Sequence, residues 1–84
     1  MDNNYYGILQ YDERAKAYFI NDKRMPSGII FAVNFGGAEW YRVRLSQNPL
    51  DREWDLSDSR LNAKGFIGRE IRLAPSEAEK LLEI

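Results

Sequence analysis

The chain has 84 residues, enough for one small domain with one core, and its lack of cysteine and histidine excludes disulfides, thiolate metal sites and catalysis by an imidazole base. Twelve basic and 13 acidic residues give a formal net charge of −1, which provides no long-range attraction for nucleic acid or an anionic membrane. With 13% aromatic and 30% charged residues, the composition is typical of a globular domain whose core contains many aromatic rings.

The first part of the chain predicts a β-hairpin followed by a connection. Residues 5–11 and 16–20 are rich in aromatic and branched side chains and indicate two strands joined over a short polar turn. Residues 21–28 are turn-forming types, since Pro26 cannot donate a hydrogen bond to a central ladder and Gly28 can adopt a positive φ. We therefore expect the chain to reverse there into the next strand.

A second hairpin is the clearest pattern in the sequence. Residues 29–35 and 40–45 are apolar at every odd position, with Gly36 and Gly37 between them. A three-residue loop over residues 36–38 brings the odd positions of both strands onto one face, whereas a slip of one residue would bring the arginines there. The sequence therefore predicts this register, with a left-handed glycine and a bulge at the turn. The predicted pairs are Phe35 with Glu39, Val33 with Tyr41, Phe31 with Val43 and Ile29 with Leu45.

Two more strands are indicated after this hairpin. Residues 53–56 alternate, with Trp54 and Leu56 on one side, and residues 57–65 lack an apolar period and indicate a loop. Alternation resumes over residues 66–73, which predicts a further strand. In that strand Ile67, Ile71 and Leu73 are expected inside and Glu70 and Arg72 outside. The predicted core therefore includes Phe31, Val33, Tyr41, Val43, Trp54, Ile71 and Leu73.

The tail predicts a short helix that completes the fold. A capping box starts at Ser76, and Ala78, Leu81 and Leu82 give one apolar edge. Two helical turns are marginal alone, so this edge must dock on the sheet. We expect one mainly β domain over residues 1–84, an antiparallel meander rolled into a small open barrel of the SH3-like or OB-like kind, with a C-terminal helix. The alternative is a single bent sheet covered on one face by that helix.

The sequence also suggests a cellular compartment. The N-terminal segment lacks the basic region and the long apolar run of a signal peptide, and no stretch approaches the roughly 20 apolar residues of a membrane-spanning helix. The lack of cysteine favours a reducing compartment. We expect a cytoplasmic protein with no membrane partner.

Few residues offer a basis for catalysis or metal binding. Asp51, Glu53, Asp55 and Asp58 form the one acidic cluster, but as an EF-hand loop they would place leucine at the glycine position and asparagine at the bidentate glutamate position. A looser calcium or magnesium site stays as a minor alternative. The glycines match no phosphate-binding motif. We therefore expect a protein that is not an enzyme, with no metal and no cofactor.

The predicted outer face of the second hairpin carries the candidate binding residues. Trp40, Arg42, Arg44 and Ile30 share that face, and Trp54 is expected to extend it. Tryptophan and arginine dominate protein-binding hot spots, so a protein partner is the favoured interpretation. The same residues also suit stacking and phosphate contacts with single-stranded nucleic acid. A purely structural role is the third interpretation, in which Trp40 covers one end of the barrel and the arginines pair with Glu39, Glu53 or Glu70.

Several short motifs resemble a small uncharacterised family of Gram-positive bacteria, conjugative elements and phages, whose members are classed as a domain of unknown function. The resemblance covers roughly residues 5–73. It is carried by Gly7-Ile8-Leu9-Gln10-Tyr11, Tyr18-Phe19-Ile20, Met25-Pro26-Ser27-Gly28, Trp40 with Arg42, Trp54, and Gly68-Arg69-Glu70-Ile71-Arg72-Leu73.

This resemblance implies a context but no catalytic residues. Accessory proteins of mobile elements often act by binding host or phage machinery. It therefore implies a non-catalytic binding module, with an inhibitor of host defence, such as an anti-CRISPR or anti-restriction protein, as a specific version.

Overall fold

A computed structural model describes residues 3–58 and 60–82 as a mainly β domain with one C-terminal helix, so the predicted fold class is confirmed. No helix among these residues is long and apolar enough to cross a membrane. The strands are β1 (Tyr5–Asp12), β2 (Ala17–Ile20), β3 (Lys23–Arg24), β4 (Ile29–Gly36), β5 (Glu39–Gln47), β6 (Trp54–Leu56) and β7 (Glu70–Leu73), and the helix α1 is Pro75–Leu82.

All seven strands belong to one antiparallel sheet in the order β3-β2-β1-β7-β4-β5-β6. The last strand therefore lies between β1 and β4, which do not pair with each other. A simple meander was expected here. The difference arises because the connection over residues 21–28 does not bring β4 beside β1, and β7 takes the place between them.

The sheet is rolled but not closed, because its edge strands β3 and β6 do not pair in the described chain. Trp54 of β6 nevertheless reaches the other end of the sheet. Its indole Nε1 donates to the carbonyl oxygen of Lys16 at 2.9 Å, and its ring meets the Tyr18 ring at 89° with 5.6 Å between centroids. One aromatic side chain thus spans the opening between the two ends.

The inner face of the rolled sheet holds one core. Of the predicted core residues, Phe31, Val33, Val43, Ile71 and Leu73 are buried, and Trp54 is half-buried against them. The prediction is wrong for Tyr41, which is 38% exposed beyond the end of the core, and for Ile67, which is 43% exposed. Ile67 lies outside because β7 begins only at Glu70. Residues Ala63–Phe66 form a short 3-10 helix, which covers the end of the predicted loop and the first residue of the predicted strand, and bury Ala63 and Phe66.

The register of the β4–β5 hairpin is the predicted one, with Phe31 opposite Val43. At the turn, however, Gly36 and not Phe35 pairs with Glu39, so Phe35 is the extra residue of a bulge. Gly36 and Gly37 have φ values of 119° and 60°, which confirms the expected left-handed glycine. The bulge leaves Phe35 43% exposed.

The tail helix starts at Pro75, two residues earlier than a helix capped by Ser76 would, so the capping role expected for Ser76 is wrong. Pro75 occupies the first helical position, where a missing N–H costs nothing. The carboxylate of Glu77, in the first turn of α1, accepts a hydrogen bond from the backbone N–H of Ile30 in β4 at 2.9 Å. Leu81 docks as expected, whereas Leu82 is 50% exposed.

Candidate functional site

Four of the predicted binding residues share the outer face of the sheet. Ile30 pairs with Arg44 across β4 and β5, and both alternate with buried neighbours. Trp40 and Arg42 lie on the same side of β5. Arg42 and Arg44 are exposed, whereas Trp40 and Ile30 are half-buried. The register argument therefore assigned these four side chains to the correct face.

Strand β7 adds a third arginine that was predicted to face outward but not to join this surface. Arg72 lies opposite Ala32 on one side and Tyr6 on the other. Its guanidinium carbon is 4.3 Å from the centroid of the Trp40 ring, and the Tyr6 ring meets Trp40 edge-on at 6.0 Å. We call Ile30, Trp40, Arg42, Arg44 and Arg72 the Trp40 face.

A shallow groove of about 310 Å³ crosses the Trp40 face. Ala32 lines it, opposite Arg42 on β5 and Arg72 on β7, and because this side chain is small, Arg72 can extend from β7 towards Trp40 on β5. The start of α1 forms the groove's end, with Ser76 and Glu77. The groove therefore combines two guanidinium groups, one indole and an apolar floor.

The purely structural interpretation would pair Arg42 and Arg44 with Glu39, Glu53 or Glu70, and these ion pairs are not formed. The ion pairs of the described residues join Arg60 to Asp58 and Lys80 to Glu77. Glu77 is a charged neighbour of the face, since it lines the same groove and is affected by the charge of Arg44. Burial opposes its ionisation, but the N–H of Ile30, the ammonium of Lys80 and the charge of Arg44 outweigh burial and lower the pKa of Glu77. The side chains of Arg42 and Arg44 make no hydrogen bond to a described residue, so within that part of the chain their donors are available for a ligand.

Trp54 lies apart from the Trp40 face. It points to the inner side, with Leu56, and lines a cleft of about 820 Å³ between the β1–β2 turn and the segment from β6 to the 3-10 helix. The single contact surface predicted from Trp40 and Trp54 together is therefore divided between two sides of the molecule. Period-two alternation already put Trp54 with Leu56, which was the signal for its inward direction.

The acidic residues of the loop do not gather into a metal site. Asp51 accepts a hydrogen bond from the N–H of Glu53. Asp58 accepts two hydrogen bonds from the Arg60 side chain, one from the Arg60 backbone N–H and one from the Tyr41 hydroxyl at 2.7 Å. The bonds from Arg60 and Tyr41 hold the pKa of Asp58 well below its usual range. In residues 3–58 and 60–82, no three histidine, cysteine or acidic side chains are placed to hold a metal ion.

In comparison with known proteins, the chain matches no protein-family model, no curated protein and no solved structure. The resemblance to the Gram-positive family therefore stays a prediction.

Proposed function

We propose that this domain is a non-catalytic binding module that contacts a protein partner through the Trp40 face. The observation that supports this most is the arrangement of Trp40, Arg42 and Arg72 around the groove. Trp40 lies on the outer side of β5 and does not belong to the core, so burial in the core does not account for a tryptophan at this position. Tryptophan and arginine side chains that pack together without internal ion pairs are typical of interface hot spots.

A protein partner fits this face better than single-stranded nucleic acid does. Arg72 lies over the Trp40 ring, so a base cannot stack on that side of the indole unless the guanidinium moves. The same contact holds Arg72 in place, which reduces the entropy that a partner must remove. The formal charge of −1 also gives a polyanion no general attraction.

Capture experiments test this proposal. Tagged wild type, Trp40→Ala and the control Lys23→Ser/Arg24→Ser, which removes two exposed cations from edge strand β3, would each be incubated with a Gram-positive lysate, with and without nuclease. We expect a protein that binds wild type and the control, resists nuclease and is lost with Trp40→Ala. With the isolated partner, Trp40→Ala should weaken binding by at least about 2 kcal/mol.

Single-stranded nucleic acid is the competing outcome of the same experiments. If nuclease removes every captured component, then a titration with oligo-dT should show whether the domain binds single-stranded nucleic acid directly. Replacing Arg42 and Arg44 would then reduce the slope of log affinity against log salt by about 0.7 for each lost phosphate contact. Equal recovery by wild type and Trp40→Ala would contradict both functions of this face. An inhibitor of host defence is the narrower form of our proposal, and a captured nuclease or restriction subunit would support it.

A further inference from the structure

The cleft at the opening of the sheet is separate from the Trp40 face. It measures about 820 Å³, within the range of about 300–1,000 Å³ that is usual for ligand pockets. One of its sides is the β1–β2 hairpin, and the other is formed by β6 and the segment that follows it; the two do not pair in the described chain. Trp54 bridges them at one point, through its bond to Lys16.

One side of this cleft is an unpaired strand edge. The backbone N–H of Asn48 donates to the carbonyl of Glu53, and the N–H of Ser57 donates to the carbonyl of Arg44. Because Glu53 and Ser57, which flank β6, bond to Asn48 and to Arg44 of β5, the orientation of the residues between them is fixed. By the antiparallel alternation, Asp55 bonds to β5, whereas Trp54 and Leu56 direct their N–H and C=O groups away from it. Among the described residues, no hydrogen bond uses those four groups.

Tyr18 supplies a second group that has no hydrogen-bond partner among the described residues. The residue is only 1% exposed, and its hydroxyl makes no hydrogen bond to a described residue. Tyr18 lines the cleft, so the cleft is the space from which a ligand could reach this hydroxyl. Burial first, then Tyr11 and Glu53, raise the pKa of Tyr18 to about 12, so the hydroxyl is a donor at neutral pH.

The charged residues around the cleft give it no strong preference for a ligand of one charge sign. Four basic residues, Lys16, Arg52, Arg60 and Lys64, line it together with Glu13, Glu53 and Asp55. Arg60 is paired with Asp58, so three basic and three acidic side chains are left without an ion pair in the described structure. A polyanion would meet three carboxylates there. A peptide, which carries both charges and neutral amides, complements such a rim.

We propose that this cleft binds an extended segment of a partner polypeptide, which adds as a strand to the free edge of β6 and accepts a hydrogen bond from the Tyr18 hydroxyl. Strand addition gives affinity through main-chain hydrogen bonds, and the rings of Tyr11 and Trp54 provide contacts for alternate side chains of the segment. This site does not depend on the Trp40 face.

The test uses a random heptapeptide library displayed on phage. It is selected on the wild-type protein, and only peptides that also bind Trp40→Ala are kept. Synthetic copies of each peptide would be N-methylated at odd or at even positions. We expect one series to lose at least about tenfold in affinity and the other series, the matched control, to keep it, because alternate amides of an added strand face β6.

Tyr18→Phe separates binding from stability. Since the hydroxyl has no partner within the described chain, we expect the melting temperature to stay within about 2 °C of wild type, while the dissociation constant for the peptide rises about 2- to 13-fold.

In amide exchange, the N–H groups of Trp54 and Leu56 should gain protection when peptide binds, whereas that of Asp55 is protected already. The proposal would be overturned if no peptide is enriched, if both methylated series bind equally, or if Tyr18→Phe leaves peptide affinity unchanged.

Discussion

The two sides of the β4–β5 hairpin differ in what constrains them. On the inner side Ile29, Phe31, Val33, Val43 and Leu45 are all buried, and each packs in the single core. On the outer side the same strands present Ile30, Trp40, Arg42 and Arg44, which are half-buried or exposed. Adjacent residues thus belong to different environments, as the alternation of a strand requires.

This difference indicates which side of the hairpin is the better candidate for binding. Residues on the inner side are explained by burial, which contributes roughly 25 cal/mol per Å² of apolar surface. The outer side needs only to be compatible with water. A tryptophan packed under an arginine, beside two arginines without ion pairs, is not explained by folding and is therefore the better candidate for binding.

The largest expected effect is on the inner side. Phe31→Ala should lower the free energy of unfolding by about 3–5 kcal/mol, because it removes a core aromatic ring and leaves a cavity. Urea unfolding measures this. The matched control is the next residue on the same strand, Ile30→Ala, for which we expect a smaller loss because Ile30 is half-buried on the outer side. Equal losses would contradict the distinction between the two sides.

The second effect extends the comparison to the tail helix. Leu81→Ala should cost about 2–3 kcal/mol, since Leu81 is buried against the sheet. Leu82→Ala, one residue later, should change the unfolding free energy by less than about 0.5 kcal/mol, since half of that side chain is exposed. Thermal unfolding of both variants tests the docking of α1, and a Leu81→Ala protein with wild-type stability would show that the helix is not needed by the core.

A third effect concerns Glu77, whose carboxylate accepts the hydrogen bond from Ile30. Glu77→Gln should lower stability by about 1 kcal/mol at pH 7, because the amide keeps an acceptor oxygen but loses the charge that Lys80 and Arg44 stabilise. Because the pKa of Glu77 is lowered in the folded state, its ionised carboxylate stabilises the fold fully above the ordinary pKa of 4.5. This stabilisation is lost as the pH falls through the folded-state pKa. Urea titrations at a series of pH values measure the unfolding free energies of wild type and Glu77→Gln, and the difference between them should decrease below pH 4.5. A difference that stays constant with pH would contradict a stabilising role of the ionised Glu77 carboxylate.

The smallest effect on stability is expected on the outer side. Arg42→Ser/Arg44→Ser should change the unfolding free energy by no more than about 0.5 kcal/mol per site, because neither side chain forms an ion pair in the described structure. The same variant should lose affinity for the captured partner. A large loss of stability would instead assign both arginines a structural role.

The sequence alone determined those features that depend on neighbours along the chain. The hairpin register followed from alternation over residues 29–45, because a slip of one residue would bury Arg42 and Arg44. The mainly β class and the final helix were also readable from local patterns. The direction of Trp40, Arg42 and Arg44 to the outer side followed from the same register.

Only the tertiary structure decided which distant elements lie side by side. Insertion of β7 between β1 and β4 brought Arg72 over Trp40, and the incomplete closure of the sheet moved Trp54 into a separate cleft. Alternation shows which face a residue occupies but not which strand is its neighbour, since non-adjacent pairing depends on how the whole chain closes its core. The exposure of Tyr41 has the same origin, because the core ends before the strand does.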